Sequence, residues 1–248
     1  MIELNKIHNI DCLEGMQDIP DKSIDLILCD LPYGTTQNPK DIVIPFEPLW
    51  RQYNRIIKDR AAIVLFAQGL FYVDLVNSNR SMFRYDMVWD KVLPSGFLNA
   101  NRMPLRGHEQ IVVFYKQPPR YYPQKVKGEP NHSKGKPKTN DNHNYGGYDF
   151  VDNGDALGDM KHPTSILRFS KPHPSIAKHP TEKSVELCEW IIKSYTEPNA
   201  IVLDNCMGSG TTAEAAIRTG RRFYGFEIDT AYCDIANERI QDIEQRCS

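Results

Sequence analysis

Apolar residues fall along this chain in separated runs, and each run has one of two spacings. Ser23 to Asp30 (SIDLILCD) is a continuous apolar stretch ending in an acid, which predicts a short strand buried on both faces, as in a parallel sheet. Ala61 to Gln68 (AAIVLFAQ) predicts a second such strand, and Phe83 to Lys91 and Gln110 to Lys116 two more. Between them, Phe46, Leu49, Trp50, Tyr53, Ile56 and Ile57 recur at helical spacing, so a helix is expected over Pro45 to Lys58, and another over Leu70 to Asn79. The pattern resumes at Ser184, where Val185, Leu187, Cys188, Ile191, Ile192 and Tyr195 share one helical face and Pro198 marks the stop. A strand at Ala200 to Asp204, a Gly-Ser-Gly turn, a helix at Thr211 to Thr219, a strand at Phe223 to Ile228 and a helix at Thr230 to Arg246 follow. Gly220 suits a left-handed helix end and Asp229 an N-cap. Strands alternating with helices predict an α/β layered fold.

Periodicity disappears over residues 117–165, which are rich in Pro, Gly, Asn, Lys, Asp and Tyr. Lys116 to Lys138 carries Lys116, Arg120, Lys125, Lys127, Lys134, Lys136 and Lys138 against Glu129 alone, a net +6. Thr139 to Lys161 carries five aspartates against Lys161, a net −4. A stretch this long without periodicity is either functional or a solvated loop. Basic residues interleaved with Tyr121, Tyr122 and His132 favour contact with nucleic acid.

The chain has 248 residues, 40% hydrophobic, enough for one sizeable core, so a single domain with insertions is expected. Its formal charge of −2 points to no polyanionic partner, and any DNA contact must come from local clustering. No apolar stretch approaches the roughly 20 residues that cross a bilayer, and the first residues lack a secretory leader, so a cytoplasmic protein with no membrane partner is expected. The six cysteines form no close sequence pair and the seven histidines lack ligand spacing; reduced thiols and no metal are expected.

Two segments carry candidate chemistry. Residues 200–228 read as strand, glycine turn, helix, strand, the setting a nucleotide-binding turn requires. Unpaired N–H groups at the helix start can bind a carboxylate, and Glu227, at the end of the next strand, can accept both hydroxyls of a ribose. These features do not separate a dinucleotide from S-adenosylmethionine. The G-x-G-x-x-G spacing fails at Ala213 and no G-x-x-x-x-G-K is present, which argues against NAD and ATP. The second segment, Asp30-Leu31-Pro32-Tyr33-Gly34, ends the first strand. Asp30 and the Leu31 carbonyl could each accept a proton of a planar amino group. Pro32 holds Leu31 extended, and Tyr33 offers a stacking face. The same residues also make good turn chemistry.

Together these motifs resemble the S-adenosylmethionine-dependent DNA amino-methyltransferases, in the subgroup whose catalytic motif precedes its cofactor motif (the beta class). The family's Asp-Pro-Pro-Tyr is Asp30-Leu31-Pro32-Tyr33, and its Asp-Pro-Phe-x-Gly-Ser-Gly-Thr is Asp204-Asn205-Cys206-Met207-Gly208-Ser209-Gly210-Thr211. Its His-Pro-Thr-Gln-Lys-Pro is His179-Pro180-Thr181-Glu182-Lys183-Ser184. The opening Asn9 to Glu14 and Trp89-Asp90-Lys91 also match, so the resemblance covers about residues 7–116 and 163–243. It implies a Rossmann-like methyltransferase fold: a mostly parallel seven-stranded sheet with one antiparallel strand and helices on both faces. Residues 1–248 would form a single methyltransferase domain, with 117–165 inserted for target recognition. Asp30 and Tyr33 would hold a base flipped out of double-stranded DNA. Gly208, Gly210 and Thr211 would surround the methionine part of the cofactor, within a motif that includes Asp204, Cys206, Met207 and Ser209. Glu227 would take its ribose, Asp11 its adenine, and Thr181 and Lys183 its carboxylate end. Arg120, Lys125, Lys127, Lys134, Lys136 and Lys138 are the candidate DNA contacts.

Three departures stand out: Leu31 for the first Pro, Cys206 for Phe, and Asn205 for Pro. None removes a group the chemistry needs. Members of the family with Asp at the first position mostly modify adenine N6, which makes that the expected target and cytosine N4 the alternative. A non-catalytic DNA-binding protein with a vestigial cofactor site is a third reading, and methylation of RNA or of a glutamine amide a fourth. A bacterial or phage-encoded modification enzyme is expected. A homodimer is left open, since no diagnostic seam is visible.

Overall fold

The computed structural model describes residues 2–38, 40–130, 158–171 and 182–247. The chain divides into two compact units, Pro123–Thr164 and the remainder (Met1–Tyr122 with Ser165–Ser248). In chain order the elements are β1 (Lys6–His8), α1 (Cys12–Gly15), β2 (Ile24–Cys29), α2 (Phe46–Ile56), β3 (Ile57–Ala67), α3 (Gly69–Ser78), β4 (Phe83–Ser95), β5 (Arg106–Phe114), β6 (Val126–Lys127), β7 (Met160–Lys161), β8 (Ile166–Arg168), α4 (Val185–Tyr195), β9 (Ile201–Asp204), α5 (Thr211–Arg218), β10 (Arg222–Phe226) and α6 (Thr230–Cys247).

The larger unit is built on one sheet with the strand order β1-β10-β9-β2-β3-β5-β4-β8. Seven of these strands are parallel, and β5 alone runs antiparallel to both of its neighbours, β3 and β4. The seven strands expected are thus joined by an eighth, the three-residue edge strand β8, which pairs with Val88 to Asp90 of β4. Alternation along β2 explains its unbroken apolar run. Leu26 and Leu28 pack toward α4, α5 and α6, while Ile27 and Cys29 pack toward α1, α2 and α3. A strand covered on both faces has no polar side to show.

The smaller unit contains the two-stranded antiparallel ladder of β6 and β7, reinforced by the Gly128 N–H donating to the Asp159 carbonyl at 2.6 Å. Residues up to Tyr122 belong to the sheet-bearing unit, where the Tyr122 N–H donates to the Ser194 carbonyl and Arg120 pairs with Glu197.

Strand order places the site. From β9 the chain proceeds through α5 to β10 on one side, and from β2 through α2 to β3 on the other. The direction of winding reverses between β9 and β2, and a crevice opens outside the carboxyl ends of strands at such a switch point. Ile27 pairs with Leu203, so Asp30 and Asp204 leave neighbouring strands at the same end.

Candidate active site

Beyond β9 the chain makes the glycine turn. Gly208 and Gly210 adopt φ of +53° and +86°, and the Gly210 N–H donates to the Met207 carbonyl at 3.0 Å. Glu227 lies against this turn, one oxygen accepting the Gly208 N–H and the other the Asp229 N–H, both at 2.8 Å. Burial pushes its carboxyl above the ordinary value, with those N–H groups opposing. Arg239 of α6 clamps the turn from behind. It is buried, donates to the Ser209 carbonyl at 3.1 Å and to Glu182 at 2.7 Å, and pairs with Glu214 of α5. A β-carbon at Gly208 would meet nothing within 4 Å, so open space lies before the turn. The first amides of α5 have no helical partner. An acid at the strand end, open space at the turn and free helix-end amides fit a nucleoside that carries a carboxylate.

The rest of the cofactor motif supports the turn from inside. Asp204 is buried, and its Oδ1 accepts the Cys206 N–H at 3.0 Å. Cys206 is half-buried and close to the thiols of Cys12 and Cys29, which push its own thiol well above the usual value. Asn205 accepts the Tyr53 hydroxyl at 2.5 Å. Asp11 caps α1, its Oδ1 accepting the Leu13 N–H at 2.8 Å. Met207, Ser209 and Thr211 are buried in the turn. Thr181 lies outside the described residues, as do Lys134, Lys136 and Lys138.

Beyond β2, Asp30 is engaged at both oxygens. The Tyr33 hydroxyl donates to Oδ1 at 2.7 Å and the Lys183 ammonium to Oδ2 at 2.5 Å. Lys183, expected near a cofactor carboxylate, is thus held on the segment that follows β2. Its side chain is 8% exposed, and a second carboxylate, Glu109, stands 3.3 Å from Nζ. Glu109 in turn accepts from Lys91 at 3.1 Å. Lys91, Glu109, Lys183 and Asp30 therefore form one chain of alternating charge, closed by Tyr33. Burial raises the Asp30 carboxyl despite the lysine. Burial would also raise Glu109, but Lys183 and Lys91 overrule it and hold it below its ordinary value. Lys183 is likewise raised, because its two carboxylates outweigh burial. Tyr33 stacks on Phe71, with ring centroids 4.8 Å apart and planes at 29°, which stiffens it. Leu31 buries its side chain, and among the described residues no donor is bonded to its carbonyl.

A family model described as DNA methylase (N6/N4 methyltransferases) matches residues 24–238. The chain belongs to the N6/N4 DNA methylase family. Among this family's curated members it is 32% identical to the type II methyltransferase M.BglII of Bacillus subtilis over 94% of its length and 68% of the relative's. It is 28% identical to M1.MboII of Moraxella bovis over 98% and 99%. In fold it is similar to the M1.HpyAVI–SAM complex, with a TM-score of 0.61 at 24% identity over 94% of this chain and 98% of that one. It is also similar to the cytosine-N4-specific PvuII DNA methyltransferase, with a TM-score of 0.64 at 19% identity over 97% and 93%. As a DNA methylase the chain thus has both of its motifs at the carboxyl ends of adjacent central strands.

Three residues that support the candidate site are given no role there by the sequence, although Lys91 lies in a matched segment. Lys91 and Glu109 sit on antiparallel neighbours, β4 and β5, and nothing in their local patterns shows that they face one lysine. Arg239 lies within an ordinary amphipathic helix. A buried charge declares itself only once its partner is known.

Proposed function

We propose that this DNA methyltransferase transfers a methyl group from S-adenosylmethionine to adenine N6 in double-stranded DNA. The observation that carries this reading is the shared edge: Asp30 and the glycine turn open from β2 and β9, which are hydrogen-bonded neighbours. Glu227, Gly208, Gly210 and Thr211 would hold the cofactor, with Asp11 on its adenine. When bound, S-adenosylmethionine supplies a methyl group on a sulfonium sulfur, activated for transfer to a nucleophile.

The protein's own residues prepare the acceptor. An aromatic amine is a weak nucleophile because its lone pair is delocalised into the ring. Asp30 accepts one of its N–H groups and the Leu31 carbonyl the other, so that the nitrogen can rehybridise. The Tyr33 hydroxyl fixes the rotamer of Asp30, and the Tyr33 ring, backed by Phe71, presents a stiff surface to a flipped base. Extrusion of the base costs a few kcal/mol, offset by these pocket contacts. The S–CH3 bond would break with its electron pair left on sulfur as a neutral thioether, Asp30 would accept the proton shed by the cationic nitrogen, and hydrogen bonds that strengthen as charge develops lower the barrier. Residues 117–165 are proposed as the target-recognition region, supported by the net +6 of Lys116 to Lys138. Within it Lys127 is exposed and pairs with Asp159 at 3.6 Å, a contact that holds the lysine weakly and leaves it available to phosphate.

One experiment tests both levels of the proposal. Purified protein is given S-adenosylmethionine and mixed-sequence duplex DNA, and the product nucleosides are analysed by mass spectrometry. N6-methyladenine is expected. N4-methylcytosine alone would overturn the choice of base, and cofactor binding without methyl transfer to any DNA would favour a non-catalytic protein. Asp30→Ala is expected to lower transfer by at least about 100-fold while cofactor binding stays nearly unchanged.

A further inference from the structure

The charge chain behind Asp30 contains a group that the transfer does not explain. Glu109 is buried, and among the described residues its Oε2 has no well-aligned hydrogen bond, its nearest donor being the Lys183 ammonium at 3.3 Å. A buried carboxylate oxygen in ion-pair range but without a hydrogen bond is uncommon, since burial normally demands one. The same ammonium is bonded at 2.5 Å to Asp30. A carboxylate that carries the full charge of an ammonium is a poorer proton acceptor than one that shares it. Asp30, raised by burial and lowered by Lys183, must act as an acceptor. Glu109 offers Lys183 a second, unsatisfied place to donate.

We propose that Glu109 is a positioning residue that sets the basicity of Asp30 through Lys183. By sharing the ammonium, it reduces the positive charge that Asp30 feels and lets Oδ2 turn to the amino group of the base. Lys91 neutralises Glu109 from its far side at 3.1 Å, which allows the acid to stay charged in the interior. The proposal rests on the reading of Asp30 as the acceptor in methyl transfer. The titratable groups that face Asp30 are Lys183 and Tyr33 by direct bond, Glu109 beyond the lysine, and Asp204, Cys29 and Cys188 further away.

The signs follow from these positions. Removal of Glu109's negative charge leaves Lys183 wholly on Asp30, so Asp30 becomes more acidic. Removal of Lys183 makes it less acidic. The ionisation of Asp30 can be read without cofactor or DNA by ¹³C-carboxyl NMR, with Asp30→Asn to assign the signal. In Glu109→Gln the Asp30 titration is expected to move down by on the order of one unit, and in Lys183→Met to move up. In steady-state assays Glu109→Gln is expected to lower kcat about tenfold, part of what a well-placed proton acceptor contributes, while KM for S-adenosylmethionine holds. The acidic limb of its pH–rate profile should move to lower pH. An unmoved Asp30 titration in Glu109→Gln overturns the proposal, even if the variant is slower or less stable, because lost packing alone would not shift it. Should Glu109→Gln fail to fold, Lys91→Met reads the same chain from its other end. Glu109, freed of Lys91, then draws Lys183 more strongly and Asp30 titrates higher; no rise overturns the proposal. The NMR arm does not depend on turnover. A wild-type protein that methylates no DNA therefore defeats the functional reading in a way distinct from an unmoved titration.

Discussion

Asp204 shows how much a single side chain at this site gives up for its position. It ends β9 with its carboxylate buried, and burial pushes its pKa from 3.8 to about 6, with hydrogen bonds from Thr212 and Cys206 opposing. Between about pH 4 and pH 6 the folded chain therefore binds more protons than the unfolded chain. Stability falls as pH rises through that window and is flat above it, a loss of roughly 3 kcal/mol from this one group. Asp204→Asn should remove the slope, seen as a urea midpoint that changes less between those two pH values than in the wild type. Equal slopes would mean that the carboxyl titrates normally. At this scale the sequence is legible where the chemistry is local. Asp30 and Tyr33 lie three positions apart and bond to each other. Lys183 was legible as a matched position but not in its partner, because what it meets, Asp30 and Glu109, comes from distant parts of the chain.

Among elements, the turn between β9 and α5 tolerates least. Gly210 has a φ of +86°, and a β-carbon there would lie 3.1 Å from the Ala236 side chain on α6. The left-handed backbone costs a residue with a β-carbon about 1–2 kcal/mol, and the helix must also shift. Gly210→Ala is therefore expected to lower the melting temperature by about 2–8 °C in scanning calorimetry and to weaken cofactor binding. Gly208→Ala, which faces open space, should lose less; equal losses would show that α6 is not the constraint. The long elements were readable from periodicity, and Gly220 and Asp229 end and begin their helices as expected. β3 starts at Ile57 rather than Ala61, because its exposed first turn of sequence, Lys58 to Arg60, is polar and hides the strand. β1 and β8 have three residues each, too few to display a period.

At the scale of the whole molecule, every strand of the eight-stranded sheet lies outside Pro123–Thr164. Replacing residues 123–164 with a short Gly-Ser linker should leave a cooperative thermal transition and cofactor binding in place, and should abolish sequence-selective methylation. Loss of the cooperative transition would make that unit part of the fold itself. Fold class was legible from the alternation of strands and helices alone, but the adjacency of β2 and β9 was not. No pattern within either strand names its neighbour, and that step rested on the family resemblance. The formal charge of −2 likewise concealed the basic stretch. The adjacency also governs how the protein comes into being. On the ribosome, Leu26 emerges long before Val202, its partner. At about 5–20 residues per second the wait is roughly 10–35 s, during which one edge of a central strand stands bare and open to wrong partners. A truncated nascent chain can therefore aggregate but cannot mark a genome, because half of the crevice has not yet been translated.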